Sequence, residues 1–121
     1  MMLKEEYGKI LDAFQEKGIY KREEIARLLG YDDFDTYQKD AENPAKKFSE
    51  ERLAHLVGTT LGLMALYGDN FKEVRHWLER ERDFSKYKKE LGKSTPLKLL
   101  NTGSLENLLI VSECVMEIRG L

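Results

Sequence analysis

The stretch Leu105–Arg119 constrains this chain most, because at helical spacing its apolar surface runs almost all the way round. Laid out at about 100° per residue, Leu105, Leu108, Leu109, Val115 and Met116 cluster on one side. Ile110, Val111, Cys114 and Ile118 carry the apolar surface well beyond the single stripe of a surface helix. Glu106, Glu113 and Glu117 share one narrow polar arc. Two readings follow. The helix is central and buried on several sides. Or one side packs on Leu97, Leu99 and Leu100 while the other is covered by a partner protein or a second copy of the chain. On the second reading the contact residues are Val111, Val115, Ile118 and Leu121, with Arg119 at the edge able to pair with an acidic group.

The rest of the chain reads as helices, since apolar residues recur at three and four rather than two. Leu3, Tyr7, Ile10, Leu11 and Phe14 make one face of a first helix, ended by Gly18. Lys21 to Leu29 predict a second helix, stopped by Gly30, and residues 33–41 a third, with Phe34 and Tyr37 on one side. Asn43-Pro44 is a break, after which Ser49 has the character of an N-cap. A helix from Glu50 to Tyr67 buries Leu53, Leu56, Val57, Leu63, Met64 and Tyr67, and its small residues Gly58, Thr59, Gly62 and Ala65 permit a second helix to approach closely. Asn70 with Glu73 matches a capping box ahead of Phe71, Val74, Trp77 and Leu78. The charged stretch Glu79 to Glu90, anchored only by Phe84 and Tyr87, reads as a solvated, partly ordered connector. Thr95-Pro96 starts a short helix that Asn101-Thr-Gly103 stops, and Ser104 caps the last one. The expected fold is an all-α helical bundle without a sheet, in which residues 1–48 form a helix-turn-helix-like part and residues 49–121 a second module.

Composition narrows the class. The chain has 121 residues, 41% hydrophobic and 35% charged, with no apolar run long enough to span a bilayer. Its first residues lack the basic segment and apolar stretch of a signal peptide, so a cytoplasmic location is expected. Cys114 stands alone, which excludes an internal disulfide. The net charge of −2 argues against a polyelectrolyte for nucleic acid. Cations concentrate at Lys72, Arg75, Arg80, Arg82, Lys86, Lys88, Lys89 and Lys93, where an anionic partner would be expected.

Residues 22–42 can be read as a helix-turn-helix. Its second helix would offer Thr36, Gln38 and Lys39 to DNA, with Arg80 and Arg82 as backbone contacts. The acids Asp32, Asp33, Asp35, Asp40 and Glu42 would oppose phosphate, so a packing unit without DNA contacts fits equally well. Catalysis has little support. His55 and His76 have no cysteine or carboxylate at ligand spacing, no phosphate loop or nucleophile elbow is present, and Cys114 lies in an apolar helix. No catalytic residue, metal or cofactor is expected.

Trp77-Leu78, Leu91-Gly92, Pro96, Leu99-Leu100, Thr102-Gly103 and Gly120 follow the pattern of one known module. In that module a Trp-Leu pair precedes a Leu-Gly-x-x-Pro-x-x-Leu-Leu segment, a Thr-Gly turn and a terminal apolar helix ending near glycine. The last third of the chain thus resembles the toxin-binding antitoxins of the Xre/MbcA/ParS type. The order of parts, a helix-turn-helix and then this module, is similar too. The chain departs from the family's pattern in carrying the charged insert Glu79 to Glu90 where Pro-Asn commonly follows Trp-Leu. The resemblance implies a non-enzymatic antitoxin that neutralises a RES-domain toxin, an enzyme consuming or transferring from NAD. It also implies homodimers and operator binding. A DNA-binding regulator without a toxin is the alternative expectation.

Overall fold

A computed structural model describes residues 4–42 and 50–120. The elements are α1 (Lys4–Glu16), α2 (Arg22–Leu28), α3 (Phe34–Glu42), α4 (Glu50–Tyr67), α5 (Phe71–Glu79), β1 (Arg82–Asp83), a 3-10 turn (Lys89–Leu91), β2 (Lys93–Ser94), α6 (Pro96–Asn101) and α7 (Leu105–Arg119). The all-α expectation holds. The break at Asn43-Pro44, the cap at Ser49, the Leu3 and Tyr7 side chains and Leu121 lie outside the described residues.

The helix starts obey local chemistry. Asn70, Thr95 and Ser104 each accept a hydrogen bond from the backbone amide three residues on, at Glu73, Lys98 and Asn107. That satisfies one of the amides a helix leaves open at its N-terminus. Pro96 occupies the first turn of α6, where its missing N–H matters least. Gly120, in the left-handed region at φ 76°, closes α7.

The core is built around α4, which packs on α1, α5 and most extensively on α7. Leu53, Leu56, Val57 and Leu63 are buried, whereas Met64 and Tyr67 are half-buried. The close approach of α4 to α7 depends on Gly62. A Cβ there would come within 3.1 Å of Arg119 and 3.2 Å of Val115, so a larger residue would make those side chains give by a few tenths of an ångström. Gly58 and Ala65, by contrast, face solvent. The Thr102-Gly103 turn is held the same way against the end of α2. A Cβ on Gly103 would sit 3.1 Å from the Arg27 carbonyl oxygen, and its φ of +71° already favours glycine.

One buried cluster joins Leu11, Phe14, Ile19, Tyr20 and Ile25 to Trp77, Leu78, Leu100 and Val111. Inside it Tyr20 bonds Thr60 at 2.8 Å, and the Thr60 hydroxyl reaches the Leu56 carbonyl oxygen at 2.8 Å. Thr60 has one proton and gives it to Leu56, so the phenol must be the donor to Thr60. Burial pushes the Tyr20 phenol up from 10.0 to about 12. The sign follows. The contribution is intact below the unfolded value and is lost as pH rises through the folded one, so stability should fall by about 2–3 kcal/mol between pH 9 and pH 12. Urea unfolding at stepped pH should show the fall in the parent and a smaller one in Tyr20→Phe. Equal slopes would mean Tyr20 is solvated.

The segment between α5 and α6 corrects one expectation. Most of Glu79 to Glu90 is exposed, with Phe84 and Tyr87 packed on the core as read from the sequence, but the chain does contain a strand pair. β1 and β2 form a short antiparallel ladder, Arg82 opposite Ser94 and Asp83 opposite Lys93. Phe84 just beyond it is fully buried, and its N–H donates to the Gly92 carbonyl at 2.8 Å. One aromatic side chain therefore anchors an otherwise charged loop to the core. The Arg82 guanidinium lies 4.5 Å above the Trp77 ring.

Candidate functional site

The structure divides the residues of α7 differently from the helical projection. Val111 and Val115, expected at a contact surface, are 0% and 2% exposed and pack inside the chain. The reason is α4, which packs on that side of α7 with Gly62 close to Val115. Leu108, Ile110 and Cys114 are buried as well. The residues left open are Leu109 (40%), Met116 (45%) and Ile118 (44%), with Ser112 half-buried between the first two. Ile118 lies on the side of Val111, seven residues on, but past the covered part of the helix. Leu109, Ser112 and Met116 form one solvent-facing strip, on the side opposite Val111.

The exposed Ala54, Gly58, Leu61 and Ala65 form a second strip on α4, at spacings of four, three and four that bring them onto one helix face. A groove of about 240 Å³ opens beside it, lined by Ala54, His55, Gly58 and Thr59 from α4 and by Ser112, Val115, Met116 and Arg119 from α7. Its polar groups are unusual in company. The Thr59 hydroxyl is buried and has no hydrogen-bond partner. His55, Ser112 and Arg119 likewise make no side-chain hydrogen bond or ion pair with the described residues. A buried hydroxyl without a partner is unfavourable by about 1–3 kcal/mol.

The other border of the α7 strip is ionic. Lys86 pairs with Glu117 at 2.7 Å, the Tyr87 hydroxyl donates to the same carboxylate at 2.8 Å, and Lys88 pairs with Glu106 at 3.1 Å. The Lys86 and Tyr87 hydrogen bonds hold the Glu117 carboxyl below its usual range. Desolvation and then the bond to Glu117 raise the Tyr87 phenol to about 12. Because these groups face water, the pairs fix the loop against α7 more than they stabilise the fold. Two of the three acids on the polar arc are thus neutralised by the charged insert, and Glu113 is left bare.

The same pairing accounts for the basic region. Arg75 binds Glu24 through both carboxylate oxygens at 2.6 and 3.1 Å and reaches Glu79 at 3.4 Å. Arg82 is engaged with Trp77, its Nε buried without a hydrogen-bond partner. Half of the region's cations are thereby engaged, while Lys72, Arg80, Lys89 and Lys93 stay exposed without an ion pair among the described residues.

Thr36, Gln38 and Lys39 are exposed on α3, which packs against α2, while Arg80 and Arg82 follow α5. Asp33 caps α3 by accepting the Thr36 N–H at 2.7 Å, and that bond lowers its carboxyl pKa. The exposed start of α3 therefore carries fixed negative charge beside the three residues offered to DNA. Among the described residues no group of three or more His, Cys, Asp or Glu side chains could hold a metal ion. His76 is exposed, 3.8 Å from Glu73. No described helix is long and apolar enough to cross a membrane.

The groove residues His55, Thr59 and Ser112 were not visible as a group in the sequence. The one available signal was the small-residue set Gly58, Thr59, Gly62 and Ala65 on α4, of which Gly58 and Thr59 line the groove. No protein-family model matches the chain, and no curated protein matches it either.

Proposed function

We propose that this chain acts by binding another protein through the face made by α4 and α7, and has no catalytic chemistry of its own. One observation carries this. Leu109 and Met116 stay open to solvent beside a groove whose polar side chains find no partner within the described residues. Apolar strips with water-facing polar side chains between them suit a surface that another protein covers.

The resemblance of residues 77–120 to the Xre/MbcA/ParS module supports a more specific reading: an antitoxin that holds a RES-domain, NAD-consuming enzyme inactive. The regulator reading has weaker support, since Asp32, Asp33 and Asp35 surround the start of α3 and Arg82 is occupied by Trp77. A homodimer and a cytoplasmic location belong to the same proposal.

The test is co-expression with the protein encoded beside it, scoring growth, cellular NAD and co-purification. Leu109→Asp and Met116→Asp should leave the melting temperature unchanged and abolish neutralisation, because a carboxylate in a dry interface is unfavourable by several kcal/mol. Val111→Asp should instead unfold the chain. If both surface variants neutralise like the parent, the α7 strip is not the docking face. If the neighbouring protein neither binds nor is toxic, the antitoxin reading fails.

A further inference from the structure

We infer that the groove between α4 and α7 receives an amphipathic helix of the partner protein, with a carboxylate of that helix set against Arg119. This rests on the docking reading and names its occupant. The shape comes first. The Ala54, Gly58, Leu61, Ala65 strip and the Leu109, Ser112, Met116 strip flank the groove, each at the spacing of one helix face. Small residues on α4 let a third helix lie close, and at Gly58 an added Cβ would meet nothing within 4 Å. A volume of about 240 Å³ takes a ridge of side chains rather than a whole helix, which would rest on the two strips.

Charge selects the occupant. Among the described residues Arg119 and His55 line the groove and no carboxylate does. Arg75, Lys86 and Lys88 all hold carboxylates within the chain, whereas Arg119 holds none among the described residues and lies along Gly62 with its guanidinium at the groove. A planar guanidinium at the groove suits a carboxylate, which it can hold through two parallel N–H donors. A second copy fits less well. Two α7 strips paired antiparallel about Ser112 would set Glu113 beside its own counterpart, and like charges at that distance repel.

A phage-displayed library of amphipathic helices of about 18 residues, selected on the immobilised full chain, tests this. The winners should carry Asp or Glu at one fixed position. The synthetic winner should bind Arg119→Glu roughly 10- to 100-fold more weakly, as for a charge-assisted hydrogen bond. Exchanging its acid for lysine should recover binding to that variant. Gly58→Trp, which fills the groove, should abolish binding. Both substituted positions face solvent, so unchanged melting temperatures are expected and are measured first. Winners without an acid, indifference to the Arg119 swap, or no winners would each overturn the proposal. So would a parent dimer in ultracentrifugation that Met116→Asp dissociates, which would give the strip to a second copy. If Leu109→Asp releases the natural partner while Arg119→Glu does not, the docking reading stands and the helix with its carboxylate falls.

Discussion

Replacing Trp77 by alanine is expected to destabilise the fold by about 3–5 kcal/mol, the usual range for truncating a buried aromatic. Trp77 is 2% exposed, and it stands on α5 where that helix meets α4 and α6. Its ring is covered by the Arg82 guanidinium at 4.5 Å, so the truncation also removes the platform of the β1–β2 ladder. The indole Nε1 is buried without a partner. Trp77→Phe should therefore lose less than its volume suggests, because it also removes that orphan donor. Urea unfolding followed by circular dichroism measures both losses. Trp77 is the only tryptophan, so its fluorescence should shift to the red in the same transition. A change for Trp77→Ala within about 0.5 kcal/mol, the scale of an exposed substitution, would mean that the ring is not in the core.

What was legible in the sequence depended on whether a single segment decided it. The ranges of α4 and α7, the caps at Asn70, Thr95 and Ser104, and the burial of Trp77 all follow from local spacing and cap chemistry. The faces of α7 did not. A helix apolar nearly all round gives no phase, and the choice between Val111 and Leu109 was made by α4 packing on the Val111 and Val115 side, with Gly62 close to Val115. The strand pair within Arg82 to Ser94 was hidden for a related reason. Two-residue strands are too short to alternate, and the burial of Phe84 outweighs seven charged neighbours that mostly stay in water. The groove was hidden because its polar members come from two helices about fifty residues apart in the chain, and nothing in either helix alone marks a hydroxyl as unpartnered.

Arg75→Met should destabilise the fold by about 3 kcal/mol near neutral pH, and the loss should shrink in acid. Arg75 ties three things together. It holds both Glu24 oxygens, reaches the Ile19 carbonyl at 3.0 Å and touches Glu79. Glu24 in turn accepts the Lys21 N–H at 2.7 Å at the start of α2. The contact therefore pins the N-terminal helices to α5 across 51 residues of sequence. Removing the guanidinium leaves a carboxylate that is 8% exposed and unpaired, which is how breaking a buried ion pair becomes expensive. The figure sits at the low end of that range because 15% of the Arg75 side chain still meets solvent. The pH dependence separates this cause from lost packing. In the parent, burial raises the Glu24 carboxyl but the Arg75 and Lys21 hydrogen bonds more than offset it, so its pKa lies below 4.5. Its contribution is present above the unfolded value and is lost as pH falls through the folded one. In Arg75→Met burial acts with only the Lys21 bond against it, and the folded pKa moves upward, so protonation relieves the variant at a pH where the parent is still intact. The two stabilities should converge as pH falls from 7 to about 4, and Glu24→Gln placed on Arg75→Met should recover part of the loss at neutral pH. A gap that stays constant with pH would show that Arg75 contributes only its aliphatic stem, and that Glu24 is solvated once its partner is gone.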